Sequence, residues 1–401
     1  MKIRLLFILA VFAGMMTAKA QDSTKVRSLE VYGFVMTDFG YNFNQINPAW
    51  FDAMRVTKLP VSKNQYGTDG NVYFSVRQTK FGVKGYIPTP AGEMTTVFDF
   101  DLFGVGVDEG QTTMRLRNAY GEIGRVLVGQ ANTPFMDGDV FPNTLEYWGP
   151  TGMVFFRNVQ VRYAAMQGKN ELFIALERPG ASADAGPYAG RIELDSVASQ
   201  FPLPDLSAHF KKSGNWGHVQ LAGMLRSIRW KDLNTSGIYD ISGSVVGWGL
   251  HLSTVLNLTK SDVFRGSFVY GEGVENYMND APVDVGVESN PGNARTPIKG
   301  KALPVTGIVA FLDHNWTPSL STSIGYSSTH ISNTDLAKGT AYKDGQYAII
   351  NLLATPFKNF LAGAELEYGS RKNFGGSYTA NDVNLHFSFK YNFSQVFYRD
   401  K

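Results

Sequence analysis

Residues 381–393 read NDVNLHFSFKYNF, and the alternation within them decides the fold. Val383, Leu385, Phe387, Phe389, Tyr391 and Phe393 fall on one face, and Asn384, His386, Ser388, Lys390 and Asn392 fall on the other. Side chains alternate with period two along a β-strand. Kept without exception over eleven residues, the pattern describes a strand long enough to cross a membrane with one apolar and one polar face. Strands in soluble sandwiches also alternate, but rarely at this length. Residues 93–102 repeat the pattern, with Met94, Thr96, Phe98, Phe100 and Leu102 opposite Glu93, Thr95, Val97, Asp99 and Asp101. Leu250, Leu252, Thr254, Leu256 and Leu258 repeat it less cleanly.

The connections between such strands are of two kinds. Residues 88–92, 167–170, 213–215, 259–262, 317–319 and 356–359 are short and turn-like. Residues 44–71, 133–152, 179–204, 231–247, 273–304 and 332–345 are long and polar. Short turns on one rim and long loops on the other belong to a transmembrane barrel, whereas a compact soluble domain would not carry so many long structureless loops. The expectation is an all-β chain, a transmembrane antiparallel β-barrel of 16 strands: 30–43, 72–87, 93–104, 113–124, 125–132, 153–166, 170–178, 204–212, 216–230, 248–258, 263–272, 305–316, 320–331, 346–355, 360–371 and 381–393. The second strand changes phase between Val76 and Phe81, which places a bulge near Gln78. A short helix over 48–54 is left open.

Composition agrees with this class. The chain has 401 residues, 43% hydrophobic and 18% charged, with 42 Gly, 28 Phe, 19 Tyr, 6 Trp and no Cys. It is therefore neither disordered nor a disulfide scaffold, and it has no thiol for a metal or a lipid anchor. Lys2 and Arg4, an apolar run over 5–16, and Ala18-Lys19-Ala20 form a cleavable signal peptide, residues 1–20. Its removal takes away Lys2, Arg4 and Lys19, leaving 34 basic against 35 acidic residues and a net charge of −1. Such a chain does not bind nucleic acid by bulk charge. The expected organisation is a short periplasmic segment 21–29, the barrel 30–393 and a tail 394–401.

Several segments resemble the DcaP-type outer-membrane transporters: YGFVMTDFGYNF (32–43), VRQTKFGVKG (76–85), GQANTPFMDGDVFPNTLEYWGPTGM (129–153), YGEGVENYMND (270–280), HNWTPSLSTSIGYSS (314–328) and LEYGSRKNFGG (366–376). The likeness runs from about residue 30 to 393. It implies a porin-like, sixteen-stranded, trimeric channel for small and often anionic solutes in the outer membrane of a Gram-negative bacterium, touching membrane lipid and lipopolysaccharide. Some members carry an N-terminal coiled coil, for which residues 21–29 are too few. Outer-membrane barrels usually end on the aromatic residue of the last strand, yet eight residues follow Phe393.

In porin-like barrels one external loop folds inward and narrows the channel. Residues 133–152 are the candidate, by position and by resemblance. Asp137, Asp139 and Glu146 give this loop three acids and no base, while Arg77, Arg115, Arg117 and Arg162 lie on the polar faces of nearby strands. Opposed rows of charge across a constriction orient dipolar solutes and filter ions. The plain alternative is ordinary solvated rim charge. A hairpin closing near Asp108 would set Asp99 against Arg117 and Asp101 against Arg115, leaving Arg77 and Arg162 as the less compensated pair.

Nothing points to catalysis or a cofactor. The six histidines are scattered without an HExxH motif, so no metal site is expected, and GVGVDEG (104–110) lies between strands, not before a helix. No GxSxG elbow occurs. The six tryptophans lie near strand ends or in loops and are expected as interfacial anchors. The reading is a channel and not an enzyme. Its competitors are an outer-membrane barrel enzyme of lipase or protease type and a soluble secreted glycan-binding β protein.

Overall fold

A computed structural model of the protein describes residues 27–180, 197–200, 202–233, 237–376 and 378–398. The signal peptide expected at 1–20 lies outside the described residues. In chain order the strands are β1 (Ser28–Asn42), β2 (Asn71–Ser75), β3 (Lys80–Thr89), β4 (Gly92–Phe103), β5 (Thr112–Ile123), β6 (Val126–Asn132), β7 (Arg157–Met166), β8 (Asn170–Glu177), β9 (Val197–Gln200) and β10 (Asp205–Gly214). They continue as β11 (Gly217–Asp232), β12 (Gly243–Asn257), β13 (Asp262–Glu272), β14 (Val285–Ser289), β15 (Ile298–Ala302), β16 (Pro304–Thr317), β17 (Leu320–Ile331), β18 (Tyr342–Ala354), β19 (Phe360–Asn373) and β20 (Thr379–Tyr398).

Every pairing in the main sheet is antiparallel, and β20 pairs back onto β1, so the sheet closes on itself. Closure removes the exposed edges that a membrane would penalise. Taking β2 and β3 as halves of one spanning strand, and setting aside β9 and the separate β14–β15 hairpin, sixteen strands form the wall. The expected architecture is therefore present. The phase change in the second strand is a full break: residues 76–79 leave the ladder, Thr79 N donates to Val76 O, and Arg77 and Gln78 both turn inward and are buried. Val72 and Phe74 before the break and Phe81 after it face outward.

Alternation assigns the faces as the sequence suggests. Phe98 and Phe389 are exposed on the outer wall, while their neighbours Val97, Asp99, Ser388 and His386 are buried inside. Tight turns close one rim. At one of them Gly217 has φ +115°, and an added Cβ would meet Val255 O at 1.9 Å, so only glycine fits.

The last strand runs past the boundary expected at Phe393. Residues 394–398 continue β20 and pair with 28–32, from Ser394↔Tyr32 to Tyr398↔Ser28. The physical reason is that β1 begins at Ser28 and offers backbone groups that need partners. No further strand crosses the wall among the described residues.

The interior departs furthest from expectation. Three long loops fold into the barrel, not one: 43–70, 133–156 and 273–303. Met54, Val56 and Leu59 from the first, Phe135, Met136 and Val140 from the second, and Tyr277 and Met278 from the third are all buried. They pack with Met224, Val269, Val305, Phe311, Tyr347 and Ile349 of the wall in one hydrophobic cluster. Each such side chain contributes about 1.5–3 kcal/mol on burial. The region of 48–54 left open as a helix is one short 3-10 turn, Pro48–Trp50. Its Trp50 is fully buried and Trp230 on the inner wall is buried, so these two are core residues and not interfacial anchors.

Candidate functional site: the lumen beside the inward loop

The loop 133–152 crosses the lumen and is tied to several strands. At its start the Thr133 hydroxyl donates to Glu177 on β8 at 2.5 Å. Asp137 accepts from His218 on β11 at 2.7 Å and from Ser253 on β12 at 2.7 Å. Lys211 on β10 sits 3.6 Å from Asp137 and 2.6 Å from Asp139, and Arg265 on β13 donates to the Asp139 carbonyl. Burial pushes the Asp137 carboxyl up, but His218, Lys211 and Ser253 outweigh it and hold it well below the usual range. Asp137, Asp139 and His218 bring their ligand atoms within 4.8 Å of one another. Lys211 supplies positive charge beside them, 2.6 Å from Asp139 and 3.6 Å from Asp137, in an ion-pair network.

Farther along, carboxylates grip the loop's backbone. Glu365 on β19 accepts the amides of Leu145 and Glu146, each at 3.0 Å. Glu146 itself accepts from the amides of Met54, Trp148 and Gly149. Burial pushes the Glu146 carboxyl up to about 7 and nearby Glu365 adds to this, while the Gly149 and Trp148 amides act the other way. Asn351 on β18 donates to the Asn143 carbonyl at 2.7 Å.

These contacts move the acids away from the arginines expected to face them. Asp137 and Asp139 meet Lys211, His218 and Arg265, and Glu146 meets backbone amides. Arg77 is buried against Asp52, with its Nε at 2.9 Å, and it stacks over Phe103 at 4.1 Å. It cannot meet a passing solute. The partner was invisible in the sequence because Asp52 belongs to a loop whose infolding was not expected. Arg162 lies at the short-turn end of β7, over the Phe173 ring at 4.7 Å. Arg115 and Arg117 do reach the open lumen. A bulge between Asp99 and Phe100 shifts the register, so Asp101 stands opposite Arg115 as expected but Asp99 stands opposite Asn118. Asp99 instead binds Lys80 at 2.8 Å, and Arg117 binds Asp101 at 3.2 Å.

What remains open is a cavity of about 560 Å³ against the β5 and β7 wall. Arg115, Arg117 and Arg157 come from the strands, and Arg55 and Lys58 from the first inward loop. Tyr147, Trp148, Phe155 and Phe156 line it as well. Arg117 donates to Tyr147 Oη at 2.6 Å, Arg55 stacks over Trp148 at 4.2 Å, and Arg157 over Phe155 at 4.8 Å. Three carboxylates offset part of this charge: Asp101 on Arg117, Asp280 on Arg55 at 3.0 Å, and Glu109 on Lys58 at 2.9 Å. Arg117, Arg55 and Lys58 are thus each matched by one acid. Arg115 has no carboxylate partner among the described residues. Arg55, Lys58 and Arg157 escaped the sequence reading. Arg157 follows two phenylalanines at a strand start placed four residues too early, and the other two sit in a long loop.

The family model of the DcaP outer membrane protein matches residues 15–393. Among solved structures, the outer membrane channel DcaP of Acinetobacter baumannii superposes with a TM-score of 0.75 at 19% identity, covering 93% of this chain and 99% of that one. An anion-selective porin from Comamonas acidovorans gives a TM-score of 0.57 at 9% identity over 92% and 100%. The trimer form of OmpT from Vibrio cholerae gives 0.54 at 12% identity over 92% and 100%. No curated relative matches the chain. At these identities the superpositions speak for the barrel fold.

Proposed function

From the premise that this chain belongs to the DcaP outer membrane protein family, a channel of the outer membrane of Gram-negative bacteria, we propose that it selects small anions. The observation that carries this reading is Arg115, which lines the cavity and has no ion-pair partner among the described residues. A low-dielectric wall lined by one sign of charge raises the local concentration of the opposite ion. Arginine forks suit carboxylates, and the aromatic faces under Arg55 and Arg157 hold those guanidiniums in place. Asp137 and Asp139 hold the inward loop against β10–β12, and Glu365 of β19 holds its backbone, so the filter is a set of arginines on aromatic rings, not arginines facing the loop's acids. The test is the reversal potential across a salt gradient in a planar bilayer, at low salt where screening is weakest. The R115Q/R157Q double variant should move it toward cations with similar conductance. A native channel with no anion preference would refute the reading.

We also infer a homotrimer. Its support is an outward face of stacked phenylalanines along the β20–β1–β2 seam, where Phe39 lies 5.1 Å from Phe387, 6.0 Å from Phe74 and 6.1 Å from Phe389. F39A/F387A should lower the fraction of trimer on mild-detergent gels. Cleavage after Ala20, a periplasmic segment ahead of Ser28, contact with membrane lipid and lipopolysaccharide, and the lack of a catalysed reaction belong to the same reading.

A further inference from the structure

Below the outer cavity, toward the short-turn rim, the inner wall carries a second group of cations that the filter does not use. Lys390 on β20 places its ammonium 4.0 Å from the centre of the Phe34 ring on β1. Phe34 stands opposite Lys80 on β3 in the ladder. Lys84 and Lys80 share the next ring along β1, Tyr32, at 4.5 and 5.8 Å. Two of the three lysines have acids: Lys80 binds Asp99 at 2.8 Å and Lys84 lies 3.8 Å from Glu30. Lys390 has no ion-pair partner among the described residues. Its nearest acid along β1, Asp38, already accepts Ser388 at 2.5 Å and lies 3.3 Å from His386.

The two basic regions are continuous. Arg117 of the outer cavity binds Asp101, Asp101 stands opposite Lys80, and Lys80 leads to Phe34 and Lys390. A solute leaving the arginines along this wall meets neutralised pairs and then a cation in excess. We propose that Lys390, backed by Lys80 and Lys84 on the Phe34 and Tyr32 rings, forms a second anion site in the short-turn half of the lumen, the first that a small carboxylate entering from that side meets. The site rests on the anion-selective reading above. An ammonium held on a ring face keeps its other N–H donors for the lumen, and lysine is a strongly hydrated point charge. It attracts a carboxylate without gripping it, as conduction through successive sites requires.

The test uses the full-length protein in planar bilayers with succinate as probe, added from one side at a time. Succinate from the short-turn side should interrupt the native current. K390Q should weaken that apparent affinity about fivefold, the worth of one unit charge at contact in water. Succinate from the long-loop side should be unaffected, and K390R should behave as the native channel. If K390Q does not assemble, K390M carries the same test. An unchanged short-turn affinity, or an equal loss from both sides, overturns the second site. If R115Q/R157Q shifts selectivity while K390Q does nothing, only the second site fails; a native channel indifferent to anions removes the filter itself.

Discussion

Replacing Arg226 with methionine should release the third inward loop into solvent. The guanidinium is fully buried, with Nε 3.0 Å from Asp205, and Nη1 3.1 Å from Asp284 and 2.7 Å from the Gly273 carbonyl. Tyr277 donates to Asp205 at 2.9 Å, and the Asn276 amide donates to Asp284 at 2.7 Å. One side chain on β11 thus holds both ends of the turn 273–284 against the wall. Methionine keeps most of the volume but strands two buried carboxylates. Breaking such a pair costs about 3–5 kcal/mol, which is two to four decades in the open population of whatever element yields first. The wall keeps its ladder hydrogen bonds, so the loop should yield before the barrel. Trypsin applied to intact cells should then cut at Lys299 or Lys301, which are about half exposed on the β14–β15 hairpin, and mean single-channel conductance should rise. Adding D205N and D284N removes the stranded charges and should restore most of the protection, because a buried ion network exchanged as a whole costs little. Native cleavage kinetics and native conductance in R226M would refute the idea that this arginine anchors the loop.

Three further outcomes follow from the same geometry. R77Q should leave the reversal potential unchanged, because Arg77 is sealed from the lumen, but should lower the temperature of the heat-modifiable gel shift by loosening Asp52 and the first inward loop. F98R places a charge on the exposed outer wall away from the β20–β1–β2 seam and should cost up to about 2–4 kcal/mol, read as reduced assembly; normal assembly would mean the strand phase is wrong. For Glu146, a carboxyl raised from 4.5 to about 7 favours the protonated fold. Its contribution to loop anchoring is whole below pH 4.5 and lost as pH rises through about 7, an upper bound near 3 kcal/mol. Current noise from the loop should therefore be greater at pH 8 than at pH 5, and E146Q should flatten that difference; an equal slope in E146Q would exclude Glu146 as its source.

The wall was legible because a spanning strand writes its environment into every second residue. Phe387 faces out and His386 in for the same reason that the residues alternate in the sequence, and even the break near Gln78 shows as a change of phase between Phe74 and Phe81. The lumen was far less legible. Loops have no period, so nothing in residues 44–71 marks Met54, Val56 and Leu59 as core or Asp52 as the partner of Arg77. Charge bookkeeping by sequence neighbourhood then misled. Asp137 and Asp139 found Lys211 and His218, some seventy to eighty positions away. Arg117 lost Asp99 to a single bulge, a displacement too local for composition or spacing to register.

The β1–β20 seam has a bearing on the order in which the molecule is made. Neighbouring wall strands elsewhere are also neighbours in the chain, so their pairing closes at most the 31 residues between Glu272 and Pro304, at an entropic cost that grows only slowly with length. The seam joins Ser28 to Tyr398 and can form only when the whole wall exists. The three inward loops share one hydrophobic cluster with the wall, so they must be in place when that last pairing zips, or be threaded afterwards through an already closed rim. The chain's two ends therefore act as a latch on its contents, and assembly that stalls before the latch should leave a sheet with its apolar loops still outside.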